Sequence, residues 1–296
     1  MGLADIVGDL RCPHGEPTLE LADATLVCPA GHRFDVARQG YVNLLVGPAP
    51  AAADTAAMVA ARALVQAAGH HDAITAGVVA AFRAAAPDGL DATIVDVGAG
   101  TGHHLAAVLD ATDAPAGLAI DLSKHAARRA ARAHDRIGAV VADAWRRLPV
   151  RSGSAAAVLV AFAPRGIAEL RRILRPDGLL VVVSPTPDHL EPLVTELALL
   201  RVPPGKDRAL DAELTGVADP VGRHRVEDVR HLTPDEALAM VAMGPSAHHR
   251  DADELHHAIA ALPVPLPVRV SATVHAYRVG RDGGDGPDGG GGPDQG

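Results

Sequence analysis

The chain has 296 residues, with 27 basic and 36 acidic side chains and a net charge of −9. This length allows one large domain with an appendage or two modest domains. The acidic balance argues against indiscriminate binding of nucleic acid, although a local basic face is still compatible with it. Hydrophobic residues make up 48% of the chain, which is ample for a packed core, whereas aromatic residues make up only 2% and leave few rings for stacking.

Two features indicate a cytoplasmic protein without a membrane partner. No apolar run is long enough to cross a bilayer, and Asp5 and Asp9 interrupt the first ten residues, which disfavours a signal peptide. The chain has two cysteines, Cys12 and Cys28. Without an export signal, a metal-binding or purely structural role is favoured for them over a disulfide.

The first part of the chain divides into two segments. Residues 1–45 place Gly, Pro, Cys and His between short apolar runs, which predicts a small β-rich module. Residues 46–90 are rich in alanine, and AMVAARALVQAAGHH predicts a helix that ends near Gly69, so we interpret this segment as a helical linker. At the other end, residues 281–296 are acidic, glycine-rich and of low complexity, which predicts a disordered tail.

Residues 91–280 alternate short apolar runs with helical patterns and are interpreted as one domain. The runs are ATIVDVG, GLAID, GAVVAD, AAAVLVAF and GLLVVVS. Continuous apolar runs of this length fit strands buried on both faces, so we predict an α/β fold with a doubly wound, mostly parallel sheet and crossover helices. Further on, Thr233 is the predicted cap of a helix, and residues 268–279 predict a late strand.

The sharpest chemical signal is IVDVGAGTGHHL, residues 94–105. A predicted strand ends at Asp96 and is followed by Gly98, Gly100 and Gly102, which let the backbone turn tightly and approach a ligand. The spacing D-x-G-x-G-x-G departs from the NAD fingerprint G-x-G-x-x-G, because His103 stands where that fingerprint needs its third glycine. We therefore expect a nucleotide-containing cofactor at this loop, with NAD as the less suitable alternative.

Two acids follow the next two predicted strands. Asp121 ends the second strand, where a carboxylate can accept from both hydroxyls of a ribose. Ala142 and Asp143 end the third strand, where a carboxylate can accept from an adenine amino group. Although an aspartate after a strand is often only a helix cap, the carboxyl ends of parallel strands share one edge, so these acids and the loop together predict one cofactor site.

The order and spacing of these elements resemble class I S-adenosylmethionine-dependent methyltransferases, and the flanking segments narrow the resemblance. Three segments are similar to the RlmA family and occur in collinear order, from residue 11 to about residue 278. They are C-P…C-P-x-G-H-x-F-D-x-A-R-x-G-Y-V-N-L-L, then M-x-x-A-R…A-G-H-H, and then S-P-T-P-D-H-L. The resemblance implies methylation of N1 of a guanine in a hairpin of 23S ribosomal RNA. Some members of the family confer resistance to macrolide antibiotics.

The resemblance also implies particular cofactor contacts. Gly100 and Thr101 fall at the loop positions that cradle the methionine end of S-adenosylmethionine, and His189 matches a histidine that contacts the cofactor. His71 stands where the family often has tyrosine, and its imidazole can still stack or donate a hydrogen bond. Without the resemblance, His189 would be interpreted as a surface residue at a helix start.

A zinc site is implied in the N-terminal module. The family pattern C-x-x-C followed by C-x-x-x-H is matched at Cys12, Cys28 and His32, but Gly15 stands at the place of the second cysteine. Since the family often has Cys-Gly-Glu-Pro where this chain has HGEP, His14 is the implied replacement ligand. Two cysteines and two histidines are an ordinary structural zinc set, but this spacing is tight. Bound zinc and a metal-free ribbon held by hydrophobic packing stay as alternatives.

The implied role of the module is to hold RNA beside the catalytic domain. Its candidate contacts are Arg33, Arg38, Tyr41 and Asn43. The arginine-rich segments KHAARRAARAHDR, WRRLPVR and RGIAELRRILR are able to add phosphate contacts. Solvated helix faces balanced by acids are the commoner explanation of such segments.

The sequence identifies no firm general base for methyl transfer. Guanine N1 carries a proton that must leave during the reaction, and Asp188 and His189 are the weak candidates to accept it because they lie near the expected site. Phe162, after the fourth predicted strand, is the best-placed ring for stacking on a splayed guanine. A core role for Phe162 is the alternative.

Two other interpretations of the whole chain stay open. A methyltransferase on the same scaffold that acts on a small secondary metabolite fits the altered zinc motif and the charge of −9. An RNA-binding protein with a vestigial cofactor fold is disfavoured by the intact glycine loop. Retention of HRFDVARQGYVNLL favours the ribosomal RNA enzyme. The sequence leaves a homodimer open.

Overall fold

The computed structural model describes residues 2–15, 17–48, 50, 53–244 and 252–280. The tail predicted to be disordered lies outside these described residues. Among the helices in the described ranges, none combines the length and apolar character that crossing a membrane requires.

Within the described part of the chain, the strands form a small antiparallel sheet of three and a large sheet of eight. The small sheet contains β1 (Glu20–Ala22), β2 (Thr25–Val27) and β3 (Arg33–Asp35). The large sheet contains β4 (Tyr41–Asn43), β5 (Ile94–Val97), β6 (Gly117–Asp121), β7 (Ile137–Val141), β8 (Ala155–Ala161), β9 (Leu174–Pro185), β10 (Ala218–Leu232) and β11 (Leu266–Val279). Its order is β10-β11-β9-β8-β5-β6-β7-β4.

The large sheet is parallel from β4 to β9 and becomes antiparallel at β11 and β10. The helices on its faces and edges are α1 (Gly2–Ile6), α2 (Ala56–Ala67), α3 (Asp72–Ala85), α4 (His103–Ala111), α5 (Lys124–Ala130), α6 (Ile167–Ile173), α7 (Leu193–Glu196), α8 (Lys206–Leu214), α9 (Pro234–Ala242) and α10 (Ala252–Ala260). The predicted doubly wound, mostly parallel α/β fold is confirmed.

Two hydrophobic cores cover the large sheet, one on each face, because successive side chains of a strand point to opposite sides. In β7, Ile137, Ala139 and Val141 belong to one core, whereas Val140 belongs to the other. All five residues of this strand are buried. This double burial is why the parallel strands are continuous apolar runs in the sequence.

The N-terminal module is continuous with the large sheet. Its last strand, β4, pairs in parallel with β7, with Tyr41 opposite Ala139, and the N–H of Leu44 donates to the carbonyl of Val141 over 3.0 Å. Leu26 of β2 packs in the same core as Val95 of the central strand. The boundary that the sequence predicts at residue 45 therefore falls just after a strand that has joined the main sheet.

Two elements late in the chain show what the local sequence pattern could predict and what it could not. The helix predicted at Thr233 is α9, whose Thr233 side chain accepts from the N–H of Glu236 while the Glu236 carboxylate accepts from the N–H of Thr233. The predicted late strand is β11. The sequence did not indicate its partner β10, because β10 is an edge strand whose middle residues are charged and mostly exposed.

Candidate cofactor and active site

The glycine loop joins β5 to α4 at the carboxyl edge of the sheet. Gly98, Gly100 and Gly102 have φ values of +76°, +56° and +79°, a region that L side chains rarely adopt. A Cβ at Gly98 would collide with the Cβ of Ala163, which follows β8. Glycine is therefore required here both by the backbone conformation and by the close approach of the neighbouring loop.

Asp121 lies against this loop. Its Oδ2 accepts from the N–H of Gly100 over 2.8 Å, and its Oδ1 accepts from the N–H of Ser123 over 2.8 Å. Burial raises the pKa of the Asp121 carboxyl, and the two N–H donors oppose that shift. The predicted proximity of Asp121 to the loop is confirmed, and its ribose-binding role stays a prediction.

Asp143 lies at the same edge, after β7. The N–H of Ala142 donates to the carbonyl of Asp121 over 3.1 Å, so the residue before Asp143 is bonded to the end of β6. The Asp143 carboxylate accepts from the N–H of Trp145 over 2.9 Å and lies 3.6 Å from Nε of Arg146. A carboxylate held this way has lone pairs left to accept from an adenine amino group.

Asp96 is a buried acid without a partner for one of its oxygens. The residue is 2% exposed, and its Oδ1 has no hydrogen-bond partner among the described residues. Burial, together with the charge of Asp121, raises the pKa of Asp96 to about 8. An orphaned acceptor of this kind fits the ammonium group of the methionine end of S-adenosylmethionine, which would compensate the buried charge.

Helix α2 covers the loop, which the sequence did not reveal. The Arg62 guanidinium lies 3.3 Å from where a Cβ at Gly100 would stand, and the Thr101 hydroxyl donates to Oε1 of Gln66 over 2.6 Å. Arg62 also forms an ion pair of 2.5 Å with Asp54. The M-x-x-A-R segment contains Arg62, but nothing in the local pattern showed which element it covers.

A cluster of neutral imidazoles borders the loop. His71 precedes α3, and His103 and His104 begin α4. The rings of His71 and His104 stack with centroids 6.3 Å apart. Burial lowers the pKa of both to about 3, so they are uncharged at neutral pH. Neither ring nitrogen of His71 has a hydrogen-bond partner among the described residues, which leaves it able to meet a polar cofactor group.

Thr75 connects the other two histidines of this cluster. Its hydroxyl donates to the carbonyl of His71 over 3.0 Å and lies 3.0 Å from Nδ1 of His104 and 3.1 Å from Nε2 of His103. Because the only hydroxyl proton is used, both imidazoles must donate to Thr75. This arrangement fixes the tautomers of His103 and His104, and neither residue was singled out from the sequence.

The two predicted candidates for the general base, His189 and Asp188, form different contacts in the structure. Nδ1 of His189 accepts from the backbone N–H of Ser271 over 3.2 Å, so the neutral ring carries its proton on Nε2 and donates there. Asp188 forms ion pairs with Arg225 at 2.9 Å and Arg269 at 3.7 Å. A donor nitrogen and a carboxylate between two guanidiniums are both poorly suited to take a proton.

Phe162 lies between the histidines and solvent. Its ring stacks on His189 with centroids 5.7 Å apart and lies 6.4 Å from the ring of His71. The side chain is 39% exposed, and its backbone has a left-handed φ of +55°, a strained conformation for an aromatic residue. An exposed ring held beside the cofactor edge fits stacking on a base better than a core role.

The module brings three of the four predicted zinc ligands together. Ligand atoms of Cys12, Cys28 and His32 all lie within 4.8 Å of one another, and the backbone N–H of Ala30 donates to Sγ of Cys28 over 3.3 Å. His14 is outside this set, and its ring stacks on that of His32 with centroids 4.6 Å apart. Two buried thiols beside an imidazole are donors that suit zinc.

The predicted RNA contacts of the module differ in their surroundings. Arg33 and Arg38 are exposed. Tyr41 is half-buried and packs against the core of the large sheet. Asn43 is exposed, and its side-chain oxygen accepts from the N–H of Leu45 over 3.1 Å. The two arginines are therefore the residues of this group that are best placed for an external partner.

The fold and this edge of the sheet define the class of protein: an S-adenosylmethionine-dependent methyltransferase. Comparison with protein families supports this class, since a methyltransferase domain matches residues 94–178 and an RlmA N-terminal zinc ribbon matches residues 10–49. A Micromonospora griseorubida protein, provisionally named a 23S rRNA (guanine-N(1)-)-methyltransferase, is 48% identical over 294 residues, covering 93% of this chain and 98% of that protein.

A second relative, the 23S rRNA (guanine(748)-N(1))-methyltransferase of Streptomyces fradiae, is 49% identical over 269 residues, covering 91% of this chain and 96% of that protein. A Bacillus subtilis protein with a similar provisional name is 34% identical over 186 residues and covers 61% of this chain. The chain belongs to the RlmA family.

Proposed function

We propose that the protein transfers a methyl group from S-adenosylmethionine to N1 of a guanine in 23S ribosomal RNA, in the cytoplasm. The observation that carries this proposal is the 49% identity to the Streptomyces fradiae enzyme over 91% of this chain and 96% of that one. The similarity covers both the N-terminal module and the catalytic domain, which favours the same kind of RNA substrate in both proteins. Guanine 748 is the acceptor position that this relative's name suggests.

The cofactor would be held by groups that match its parts. Asp121 would accept from the ribose hydroxyls, Asp143 would accept from the adenine amino group, and Asp96 would meet the ammonium group. When bound, S-adenosylmethionine supplies an electrophilic methyl group on a sulfonium. His71 and His189, whose pKa values burial lowers to about 3 and about 4, would add no positive charge beside that sulfonium at neutral pH.

The acceptor guanine stacks on Phe162 after leaving its hairpin, because chemistry at N1 requires a free Watson–Crick edge. Nε2 of His189, which carries a proton and lies in the ring stacked on Phe162, is then a donor available to an oxygen of the base. Bound S-adenosylmethionine would supply the methyl group to N1 and keep the electron pair of its C–S bond on sulfur, and the N1 proton would pass to bulk water, because neither His189 nor Asp188 is suited to take it. The protein's main contribution is alignment of donor and acceptor and exclusion of water.

The acceptor class is tested with S-adenosylmethionine labelled in the methyl group. We expect label to enter unmethylated 23S RNA with a stoichiometry of one methyl group per molecule, and not to enter DNA of the same sequence. The second candidate is a small-molecule methyltransferase, favoured by the altered zinc motif. Label in low-molecular-weight acceptors, with none in 23S RNA, would support that candidate and contradict the proposal.

A further inference from the structure

Some surface arginines of this acidic protein are paired with carboxylates, whereas others are not. Along the edge formed by β10 and β11, surface arginines form ion pairs with nearby carboxylates. These pairs are Arg223–Asp211 at 2.5 Å, Arg225–Asp188 at 2.9 Å, Arg230–Asp228 at 3.1 Å and Arg269–Glu227 at 3.2 Å. This edge therefore has little positive charge left to offer to an external anion.

A group of cations near the other end of the large sheet has no such counter-charges among the described residues. Lys124, Arg128, Arg129 and Arg132 are exposed along α5 and the turn that follows it, and none of them forms an ion pair or hydrogen bond through its side chain with the described residues. Lys124 and Arg128 are four residues apart in α5, which places them on one helix face about 5–6 Å from one another, and Arg132 follows in the turn after the helix. They form a basic stripe, defined here as these four residues.

The composition of this segment argues against an ordinary solvated helix face. Such faces carry acids three or four residues from their bases, which stabilise the helix by pairing. Residues 124–136 contain a single acid, Asp135, although the whole chain has 36 acidic and 27 basic residues. A helix face with several bases and no paired acids is a surface suited to a polyanion.

The position of the stripe connects the two functional parts of the protein. At its start, Ser123 caps α5 and its N–H donates to Asp121 of the cofactor site. At its end, Ala131 lies beside the module, since a Cβ at Gly40 would stand 3.7 Å from the Cβ of Ala131. The exposed Arg38 is two residues from Gly40. Cations thus run from the cofactor site to the N-terminal module.

We propose that the basic stripe, continued by Arg38, is the docking surface for the phosphate backbone of the substrate RNA. Its guanidiniums bind phosphates and set the register of the RNA, so that one nucleotide is presented at the carboxyl edge of the sheet. This inference rests on the proposed function, because the occupant is the RNA that is methylated. The net charge of −9 is then compatible with RNA binding, since the stripe supplies a local basic face.

The test compares two double variants of the full-length protein. Arg128→Gln with Arg132→Gln removes two charges from the stripe, and the control, Arg175→Gln with Arg201→Gln, removes two surface arginines that are paired with Asp91 and Glu191. We expect the stripe variant to raise KM for a 23S RNA fragment about tenfold and to reduce the slope of log affinity against log salt by about 2, one for each lost phosphate contact.

The same experiment measures S-adenosylmethionine affinity and thermal unfolding, which should match the wild type because the substituted stripe side chains are exposed. A KM and salt slope equal to those of the control variant would overturn the docking surface while leaving the proposed function standing. Absence of methyl transfer to RNA by the wild-type protein would instead refute the proposed function. A loss of cofactor affinity in the stripe variant, with an unchanged salt slope, would also overturn the docking role.

Discussion

Ser271 donates its backbone N–H to Nδ1 of His189 over 3.2 Å, and this contact decides what the imidazole can do. An acceptor at Nδ1 places the ring proton on Nε2, and burial lowers the pKa of His189 to about 4. The ring is therefore a neutral donor with a fixed orientation at neutral pH, next to Phe162.

We predict that His189→Phe lowers kcat/KM by about 10- to 100-fold, because it removes one oriented hydrogen bond to a polar or charged group. His189→Gln, which keeps an N–H donor, should recover part of the loss. Steady-state kinetics from pH 6 to 8 provide the check, and no ionisation of His189 should be visible in this range. His189 would instead act as a base if both variants lost all activity and the wild-type protein showed an ionisation of His189 inside that pH range.

A second prediction concerns Asp121. Asp121→Ala removes the carboxylate that accepts from Gly100 and Ser123 and that we assign to the ribose, so the Kd for S-adenosylmethionine should rise about 10- to 100-fold. Calorimetric titration measures it. Asp110→Ala is the matched control, since that carboxylate is 73% exposed and pairs with His134. Equal affinities for the two variants would mean that the ribose lies elsewhere.

A third prediction uses the buried acid Asp96. Its pKa in the folded protein is about 8, against an ordinary value of 3.8 for an aspartate, so the native state holds the proton more firmly than the unfolded state. This contribution to stability is complete below about pH 4 and is lost as the pH rises towards 8. Asp96→Asn mimics the protonated acid, and in the cofactor-free protein it should therefore unfold a few degrees above the wild type at pH 8.

The two proteins should unfold at similar temperatures at about pH 4, which thermal unfolding at both pH values will show. The same substitution should weaken S-adenosylmethionine binding, because the amide no longer meets the ammonium group with a negative charge. A variant that is less stable than the wild type at pH 8 would contradict the assignment of Asp96 as an uncompensated buried acid.

A fourth prediction concerns the metal. We expect the protein purified without chelator to contain zinc, and His32→Ala to lose it, because Cys12, Cys28 and His32 converge within 4.8 Å. His14→Ala should retain zinc with weaker affinity, since His14 stacks beside the cluster. Elemental analysis and competition with a chelator distinguish these outcomes. A wild-type protein without zinc would support the metal-free ribbon.

A fifth prediction tests Phe162 as the ring on which the acceptor guanine stacks. Phe162→Ala should lower kcat/KM for RNA by about 5- to 150-fold, corresponding to about 1–3 kcal/mol of base stacking, without changing the Kd for S-adenosylmethionine. Phe162→Tyr should retain most activity. Trp145→Ala, which removes a ring that is 72% exposed, is the control. Loss of cofactor binding or of folding in Phe162→Ala would instead indicate a structural role.

The sequence was most informative where local signals repeat along the chain. Strand ends at Asp96, Asp121 and Asp143 had to share one edge once the sheet was parallel, so their proximity followed from topology alone. The contacts of Arg62 and Gln66 with the glycine loop were not predictable, because they depend on how α2 packs against a distant element. Likewise, nothing local in YVN showed that β4 would extend the main sheet.

Methylation of a single guanine at N1 is the central claim for this protein. Since a methyl group at N1 blocks the Watson–Crick edge, reverse transcription across 23S RNA treated with the enzyme and S-adenosylmethionine maps the site directly. We predict one new stop, at the nucleotide before one guanine in a hairpin loop, that is absent without cofactor and weaker in Asp121→Ala at limiting S-adenosylmethionine. Methyl incorporation into RNA without a new stop, or stops at many guanines, would contradict the claim.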